Sequence, residues 1–476
     1  MGSGGLADIE ALETVSIKLA QQQKAFARNG TPSAAERRAL LASLVRLLTE
    51  NEVEIIDAVA ADFGVRAHVE TRLTDLLLIH AQIALTSRKL GRWMKPRRVP
   101  TPMYLWPGRS KVVPQPLGVV GIIGAWNYPV ATLLAPMVCA IGAGNRVILK
   151  PSEQAPRTAE TMARLLAQYF EPETVTTILG GPEVASEFAN SQFDHIFFTG
   201  SGAIGRRVAV AAAENLVPVT LELGGKSPAI IDPGCKIETA INAIAFGKFL
   251  NAGQTCVGVD YIIAPKGFHE PVVTALQNRF NTMFPNFPAS TDYTHILTQR
   301  HFDRLQAILD DAIAKGARAI RLSTSSAATG RAFPPTVLLD VNDSMRVMNE
   351  EIFGPLLPIV ACQTTDDAIA YVNARDKPLA LYWFGRDRKA CDMIIEKTFS
   401  GGVTINGTAT HVFQRALPFG GVGPSGTGEY FGEAGFHRFS KKKSVFVHGP
   451  FSTIPLLAPP YTAGTDRLLS IMRKIL

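Results

Sequence analysis

Apolar and polar positions recur with the 3.6-residue period of amphipathic helices along the first part of the chain. Residues 7–63 follow this period, and Ser33 with Glu36 three positions later forms a capping-box pattern at which a helix begins. Gly64 predicts the end of this segment, and a second helical pattern covers 67–94. The stripe after the cap is Leu40, Leu41, Leu44, Val45 and Leu48.

A different pattern follows in residues 95–116, where prolines interrupt any regular period. Prolines cannot donate to a sheet ladder and break helices, so this segment predicts an excursion over the surface. The prolines stand at 96, 100, 102, 107, 114 and 116.

From Leu117 short apolar runs alternate with helical patterns, which predicts a parallel, doubly wound sheet. Its predicted strands are 119–123, 146–149, 175–179, 193–198 and 217–223, and its predicted helices are 130–143, 157–170 and 202–214. Ligands of such sheets bind at the carboxyl ends of the strands. The loops that hold Asn127, Lys150, Ser201 and Glu222 each follow a strand and are therefore the candidate site.

A second alternation runs from Gly225 to about Leu417 and predicts a second α/β domain. It begins with a predicted strand at 228–231, a helix at 237–250 and a strand at 257–264. Two or three domains are also what a chain of 476 residues requires.

Composition and charge argue against a nucleic-acid-binding protein. The chain is 46% hydrophobic and 19% charged, and its net charge of +7 is spread thinly. The clusters Lys95–Arg98 and Lys441–Lys443 lack interleaved aromatic residues, so we interpret them as solvated loop faces and expect no nucleic-acid partner.

Five scattered cysteines do not form a disulfide framework and favour a reducing, cytoplasmic compartment. The start of the chain has no signal pattern, and no run of eighteen apolar residues predicts a membrane span. The nine histidines lack metal-ligand spacing, so no metal is expected. Residues 465–476 form a basic amphipathic helix, which is typical of packing on the protein or a partner and also of a membrane surface.

Candidate chemistry centres on Cys256, which ends the stretch Asn251–Cys256 in a turn after a helical run. Glu222 lies about thirty residues upstream at the end of a strand, with glycines behind it. A thiol and a carboxylate supply the nucleophile and base of covalent chemistry on a carbonyl. A lone cysteine is more often a small buried apolar residue. That interpretation is kept for Cys139, Cys235, Cys362 and Cys391.

The strand ends carry further motifs. Gly200, Gly202 and Gly205 form a G-x-G-x-x-G turn between a strand and a helix, which offers backbone N–H groups to a phosphate. Lys150–Glu153 places a cation and a carboxylate where a nucleotide ribose could lie, and Asn127 supplies an amide suited to an oxyanion. Two glycine-containing motifs complete the set, Glu350–Pro355 and Pro418–Gly421.

Together these motifs resemble the aldehyde dehydrogenase superfamily over nearly the whole chain, most strongly at 100–440. The shortened N-terminus and three segments are similar to the class 3 branch, particularly to coniferyl-aldehyde dehydrogenases. Those segments are Pro116–Val120, Pro378–Phe384 and Pro459–Tyr461.

The resemblance implies an aldehyde dehydrogenase fold and a division into domains. It implies a Rossmann-like cofactor domain (1–99 and 117–222), an α/β catalytic domain (223–417), a small β oligomerisation arm (100–116 and 441–450), a return segment (418–440) and a C-terminal tail (451–476). It also implies a homodimer that oxidises a small-molecule aldehyde to the acid with NAD or NADP. Glu153 beside the ribose would oppose a 2′-phosphate and favours NAD.

By the same resemblance Cys256 is the nucleophile, Glu222 the base, and Asn127 with the Cys256 N–H the oxyanion site. The implied cofactor residues are Trp126, Lys150, Ser152, Glu153, Gly200, Ser201, Gly205, Leu223, Glu351 and Phe353. Tyr128 and Phe413 are the expected substrate pocket. Trp126 and Phe198 also lie beside motif residues, so a pocket for aromatic, cinnamyl or medium-chain aldehydes is expected.

Four positions depart from the family pattern, and other functions stay open. Ala125 replaces a frequent Pro, Arg415 a frequent carboxylate, and Thr427 and Phe431 the usual Met and His. A CoA-acylating dehydrogenase would share the fold and cysteine, but Glu222 argues against it because hydrolysis needs that base. A phosphorylating dehydrogenase would need a Cys–His pair. A non-catalytic binding protein on the same scaffold is the alternative from another class.

Overall fold

Residues 4–323, 330–451 and 454–475 are described by the computed structural model of the protein. Some positions of the predicted ranges 1–99, 223–417 and 451–476 lie outside the described residues. These positions are 1–3, 324–329, 452–453 and 476.

The helices alternate with strands over most of the chain. The α-helices are α1 (Gly4–Asn29), α2 (Ala34–Glu50), α3 (Glu52–Phe63), α4 (His68–Thr71), α5 (Leu77–Trp93), α6 (Ala131–Ala143), α7 (Pro156–Tyr169), α8 (Pro182–Asn190), α9 (Gly202–Glu214), α10 (Ile237–Phe249), α11 (His269–Met283), α12 (Gln299–Ala314), α13 (Arg346–Asn349), α14 (Thr365–Asn373), α15 (Arg388–Lys397), α16 (Thr410–Phe413), α17 (Gly432–Arg438) and α18 (Ala463–Ile475). The strands are β1 (Arg97–Val99), β2 (Arg109–Pro116), β3 (Val119–Ile123), β4 (Arg146–Lys150), β5 (Val175–Thr177), β6 (His195–Thr199), β7 (Val219–Glu222), β8 (Pro228–Ile231), β9 (Tyr261–Pro265), β10 (Arg318–Arg321), β11 (Thr336–Leu339), β12 (Leu356–Cys362), β13 (Ala380–Phe384), β14 (Gly402–Ile405), β15 (Gly426–Thr427) and β16 (Ser440–Val447).

The first large sheet has the strand order β15-β7-β6-β3-β4-β5 and is parallel except for β15. The central strand β3 is buried throughout, as a strand with helices on both faces must be. Its last residue, Ile123, lies opposite Lys150 on β4 and Phe198 on β6, and Thr199 lies opposite Glu222. The predicted doubly wound sheet is therefore confirmed, with its strand ends level at one edge.

The second sheet has the order β10-β11-β12-β9-β8-β13-β14, and only the β10–β11 pair is antiparallel. The strand order reverses at β8, whose neighbours are β9 and β13. This sheet confirms the predicted second α/β unit.

The third sheet joins distant parts of the chain. β2 pairs antiparallel with β1 and, over eight residues, with β16. The predicted arm ranges 100–116 and 441–450 contain β2 and most of β16, and 97–99 adds β1. The clusters expected on loop faces, Lys95–Arg98 and Lys441–Lys443, lie instead largely on β1 and β16, although their strand residues are solvent-exposed as expected.

Two further local predictions differ from the structure. The strand expected at 257–264 begins only at Tyr261, because the buried residues Val257 and Val259 lie in an irregular segment that packs against the core. Apolar character alone does not separate a buried loop from a strand. Helix α8, with Gly181 before it and proline at its first position, was not predicted.

The helical region before the first sheet contains one irregular turn. The capping box is confirmed, since Glu36 N donates to Ser33 Oγ and Ser33 N donates to the Glu36 carboxylate. The predicted helix at 67–94 is interrupted by a π-helical turn at Arg72–Leu76. Such turns often lie at functional sites.

The C-terminal helix α18 lies largely exposed, with about half of the Leu469 and Ile471 side chains accessible to solvent. Across the described residues, every helix is too short or too polar to span a lipid bilayer.

Candidate active site

The loop that carries Cys256 is held in an unusual conformation by its own side chains. Helix α10 ends at Phe249, and Asn251, Ala252 and Gly253 then adopt left-handed backbone angles with φ of 51°, 51° and 78°. Such strain persists only where the surroundings enforce it. Here the fully buried Asn251 Nδ2 donates to Gln254 O (3.1 Å), and Gln254 Nε2 donates to Asn251 O (3.0 Å).

Glycine at position 253 also allows a second loop to approach closely. A Cβ at Gly253 would lie 2.7 Å from the carbonyl carbon of Gly354. The Asn251–Cys256 loop and the Glu350–Pro355 loop are thus in backbone contact, because a larger residue would separate them.

Asn127 lies beside the Cys256 loop and is buried. Its Nδ2 donates to Gln254 O (3.1 Å), and its backbone carbonyl accepts bonds from Asn251 Nδ2 (2.9 Å) and Arg66 Nη1 (2.9 Å). Arg66 also forms an ion pair with Asp75 (3.0 Å), whose side chain is completely buried on the π-helical turn. A buried charge pair therefore supports the turn that presents the amide.

Cys256 and Glu222 line the same cavity. Glu222 reaches it from the end of β7, and Cys256 reaches it from the loop after α10. Much of the remaining wall is apolar or aromatic: Tyr128, Leu223, Phe413, Phe419, Tyr430 and Phe431. The two substrate-pocket residues predicted from the sequence, Tyr128 and Phe413, are both in this wall, and Tyr128 Oη lies 2.6 Å from Thr255 Oγ1.

Burial raises the pKa of both reactive groups. It raises the pKa of the Cys256 thiol to about 12, and the Glu351 and Glu222 carboxylates add to the rise. Burial raises the pKa of Glu222 well above its usual range, and Arg438 opposes this only in part. Neither carboxylate oxygen of Glu222 has a hydrogen-bond partner among the described residues.

Glu351 faces the same region from the Glu350–Pro355 loop. Its Oε1 accepts a bond from Gly225 N (3.0 Å), and burial raises its pKa to about 7. The loop itself is anchored by Asp260, whose Oδ1 accepts from Ile352 N (2.9 Å), and by Lys226 Nζ, which donates to Glu350 O (3.0 Å).

The glycine-rich turn leads into α9 as predicted. Ser201 is the N-cap, and its Oγ accepts a bond from Ile204 N (3.4 Å). A Cβ at Gly205 would lie 2.6 Å from Leu223 Cδ2, so this glycine lets α9 pack on the strand end. A Cβ at Gly202 would meet only Pro424 O at 4.0 Å, which leaves the space before the helix N-terminus open.

The end of β4 carries a pair of opposite charges. Lys150 is buried, and its Nζ donates to Glu153 Oε2 (3.1 Å), which is partly exposed. Ser152 Oγ accepts a bond from Gln154 N (3.3 Å) and so shapes this turn.

The four aromatic residues expected near the substrate divide between the cavity and its surroundings. Trp126 stacks on His301 (4.6 Å between ring centroids) and packs edge-to-face with Phe353 (5.3 Å), away from the cavity wall. Phe198 lies beneath the glycine turn, since a Cβ at Gly200 would lie 2.6 Å from its ring. The other two, Tyr128 and Phe413, line the cavity.

Several residues of this region were not found from the sequence. His301 has no motif around it, and the partners of Arg66 are distant along the chain. Tyr430 belongs to no sequence motif, and Arg415 stands out in the sequence only as a departure from the family pattern, yet both line the cavity. Each of these residues lies near the site only because of tertiary packing, which no local sequence pattern shows.

The remaining cysteines lie elsewhere: Cys139, Cys235, Cys362 and Cys391 are absent from the wall of this cavity. Within the described residues no group of three or more His, Cys, Asp or Glu side chains is placed to bind a metal.

Comparison with known proteins identifies the family. Residues 8–445 match the aldehyde dehydrogenase family. The chain belongs to the aldehyde dehydrogenase family. The chain is 40% identical to the coniferyl aldehyde dehydrogenase of a Pseudomonas species, over 97% of this chain and 96% of the relative. It is 39% identical to mouse aldehyde dehydrogenase family 3 member B2, over 94% of this chain and 93% of the relative.

Solved structures agree with the sequence comparison. The Mycobacterium tuberculosis aldehyde dehydrogenase complexed with NAD+ superposes with a TM-score of 0.83 at 30% identity, over 95% of this chain and 92% of that one. This aldehyde dehydrogenase catalyses NAD(P)-dependent oxidation of an aldehyde, and neither the CoA-acylating nor the non-catalytic alternative is favoured.

Proposed function

We propose that Cys256 is the nucleophile and Glu222 the general base of this aldehyde dehydrogenase. The observation that supports the proposal is that both side chains line one cavity with largely apolar walls. Attack of the Cys256 thiolate on the aldehyde carbon forms a thiohemiacetal. Loss of hydride leaves a thioester on Cys256. Glu222 then removes a proton from water as the water oxygen attacks the thioester carbon, and cleavage of the carbon–sulfur bond releases the carboxylic acid and the Cys256 thiolate.

Ionisation of the thiol needs a proton acceptor in this cavity. The raised pKa of Cys256 leaves the thiol protonated at neutral pH. The Glu222 carboxylate lines the same cavity, has no hydrogen-bond partner among the described residues, and is the base available to the thiol. Asn127, with the Cys256 N–H, is the proposed donor to the oxyanion of the tetrahedral intermediate. Loss of one such donor typically lowers the rate by about 10²–10³.

The residues around the strand ends fit a dinucleotide. When bound, the nicotinamide accepts the hydride. Gly200, Ser201 and Gly205 form the proposed pyrophosphate site, because the open space at Gly202 meets the N-terminus of α9. The other proposed cofactor residues are Trp126, Lys150, Ser152, Glu153, Leu223, Glu351 and Phe353.

We favour NAD over NADP because of the charges at the end of β4. Glu153 is exposed beside Lys150, and its carboxylate would repel a 2′-phosphate. Glu153→Ala should therefore raise kcat/KM for NADP relative to NAD.

The proposed substrates are aromatic, cinnamyl or medium-chain aldehydes. Tyr128, Phe413 and their apolar neighbours offer ring stacking and area burial, and the similarity to a coniferyl aldehyde dehydrogenase agrees with a flat substrate. Each buried methylene contributes roughly 0.8 kcal/mol, so several carbons should favour such substrates over acetaldehyde by at least about a hundredfold in kcat/KM.

We further propose a cytoplasmic homodimer that assembles through the three-stranded sheet as an oligomerisation arm. All five cysteines are free thiols, as in a reducing compartment. The arm and the chain after it expose large apolar side chains, with Trp106 61%, Val447 51% and Phe451 80% accessible. Analytical ultracentrifugation should give about twice the chain mass of 51.3 kDa.

Replacement of the proposed nucleophile tests the mechanism. Cys256→Ala should abolish aldehyde oxidation while cofactor binding and thermal unfolding stay near those of the wild type. Cys362→Ala, at a thiol outside the cavity, is the matched control and should remain active. Turnover above a trace in Cys256→Ala would refute the assignment.

A panel of aldehydes tests the substrate class. Benzaldehyde, cinnamaldehyde, hexanal and acetaldehyde would each be assayed with NAD and with NADP. If acetaldehyde were as good a substrate as benzaldehyde or hexanal, the apolar-pocket proposal would be wrong and the dehydrogenase activity would still stand.

A further inference from the structure

Arg415 is a cation in the wall of the catalytic cavity without a counter-charge among the described residues. It follows α16, is 5% exposed, and lines the same cavity as Cys256 and Glu222. Its Nε and Nη1 are buried and have no hydrogen-bond partner in the described part of the chain. A buried unpaired charge is unfavourable, so such a group usually marks a site that is completed by a ligand.

An aromatic ring, not a carboxylate, lies beside this guanidinium. The Arg415 Cζ atom lies 3.9 Å from the centroid of the Phe431 ring. Burial lowers the pKa of Arg415 to about 10, so it remains a cation at neutral pH. A cation–π contact leaves the planar fork of N–H donors free to meet an anion.

Aromatic rings of the cavity wall lie between Arg415 and the reacting groups. The Phe431 ring beside the guanidinium stacks on Phe419 (5.3 Å between ring centroids) and lies 4.2 Å from Tyr430. All three rings line the cavity together with Cys256 and Glu222. A molecule whose aldehyde carbon is at Cys256 can lie along these rings and present its other end to Arg415.

We propose that Arg415 binds an anionic group, a carboxylate, at the end of the aldehyde substrate remote from the carbonyl. The proposal rests on the proposed role of Cys256 and deepens the substrate class to aromatic or medium-chain aldehydes that carry an acid group. A guanidinium and a carboxylate form two parallel hydrogen bonds, and the apolar walls between the ends accept the carbon skeleton. Hydrogen bonds to a charged group change binding by about 10- to 150-fold.

Substrates that differ only in charge test the proposal. Three para-substituted benzaldehydes would be compared by kcat/KM: the carboxylate (4-formylbenzoate), its neutral methyl ester and the trimethylammonio cation. The wild type should prefer the acid over the ester by at least about tenfold and should use the cation least. Equal use of acid and ester, or a preference for the cation, would overturn the proposal.

Substitution of the cation then separates recognition from packing. In Arg415→Met the acid-to-ester ratio of kcat/KM should fall by about 10- to 150-fold, and in Arg415→Lys it should fall less, because the charge remains while the fork is lost. If Arg415 only packs the cavity, both substrates lose rate together and the ratio stays at its wild-type value, which would overturn the proposal.

A binding measurement keeps the test independent of turnover and of folding of the variants. Terephthalate and its neutral dimethyl ester would be titrated into wild-type protein with NAD bound by calorimetry. Tighter binding of terephthalate than of its dimethyl ester supports the subsite. This holds even if none of the three benzaldehydes is oxidised, because that result would contradict the proposed substrates alone. Absence of terephthalate binding would overturn the subsite.

Discussion

A methyl group added at Gly224 should displace the Glu351 carboxylate without unfolding the protein. A Cβ at Gly224 would lie within 2.5 Å of the Glu351 Cδ and both carboxylate oxygens. No side chain can stay at that distance, but the carboxylate is the end of a flexible side chain and can swing away. Gly224→Ala therefore removes the acceptor of the bond from Gly225 N while it changes the packing of the fold little.

The size of the effect follows from the bonds that the displaced carboxylate can no longer make. A hydrogen bond to a charged group contributes about 1.5–3 kcal/mol, and about 1.4 kcal/mol is a factor of ten. If Glu351 binds the nicotinamide ribose, Gly224→Ala should weaken NAD binding by about 10- to 150-fold. The melting temperature of the unliganded protein should change little.

Calorimetric titration of NAD into four proteins measures this effect: the wild type, Gly224→Ala, Glu351→Ala and the double variant. Because both changes act through one carboxylate, the double variant should bind NAD no more weakly than Glu351→Ala. Gly181→Ala is the control, since a Cβ there has open space around it. Additive losses in the double variant, or unchanged binding in Gly224→Ala, would refute the reasoning.

Three further predictions concern charged groups. Glu222→Gln should give some, slower, first-turnover nucleotide reduction and then stall as a thioester, seen by mass spectrometry as an acyl adduct on Cys256, and normal steady-state turnover would contradict this role. Burial raises the pKa of Glu351 to about 7, so NAD affinity should fall as the pH drops below about 7 and the carboxylate is protonated; Glu351→Gln should remove this dependence. Arg66→Met leaves the buried Asp75 uncompensated and should lower the free energy of unfolding by about 3–5 kcal/mol in urea titrations, with Arg66→Met/Asp75→Asn less affected than Arg66→Met.

The parts of the fold that follow from local pattern were predictable from the sequence. Alternating strands and helices require a parallel sheet, and a parallel sheet brings its strand ends to one edge, which is why Lys150 and Glu222 could be assigned to one region from pattern alone. Helix α9 was predicted with its observed bounds because a glycine turn and a serine cap precede it.

The parts that depend on distant partners were not predictable. The contact of Arg66 with Asn127 crosses 61 positions of the chain, and no local period encodes it. Val257 and Val259 are as apolar as strand residues, yet they are buried in the core from an irregular segment. Arg415 could be recognised as unusual, but its missing counter-charge becomes visible only when its neighbours in space are known.

Strand β16 has consequences for how the protein behaves at high concentration. One edge of the strand pairs with β2, and the other has no strand beside it in the described part of the chain. An unpaired edge can recruit strands of other molecules and so nucleate aggregates, and lysines on an edge are a common defence. Lys441–Lys443 protect the first half of β16, while Val445–Val447 carry no charge. Pairing with strands of other molecules is thereby confined to the Val445–Val447 end of β16. Salt that screens the lysines should make the protein more prone to aggregate.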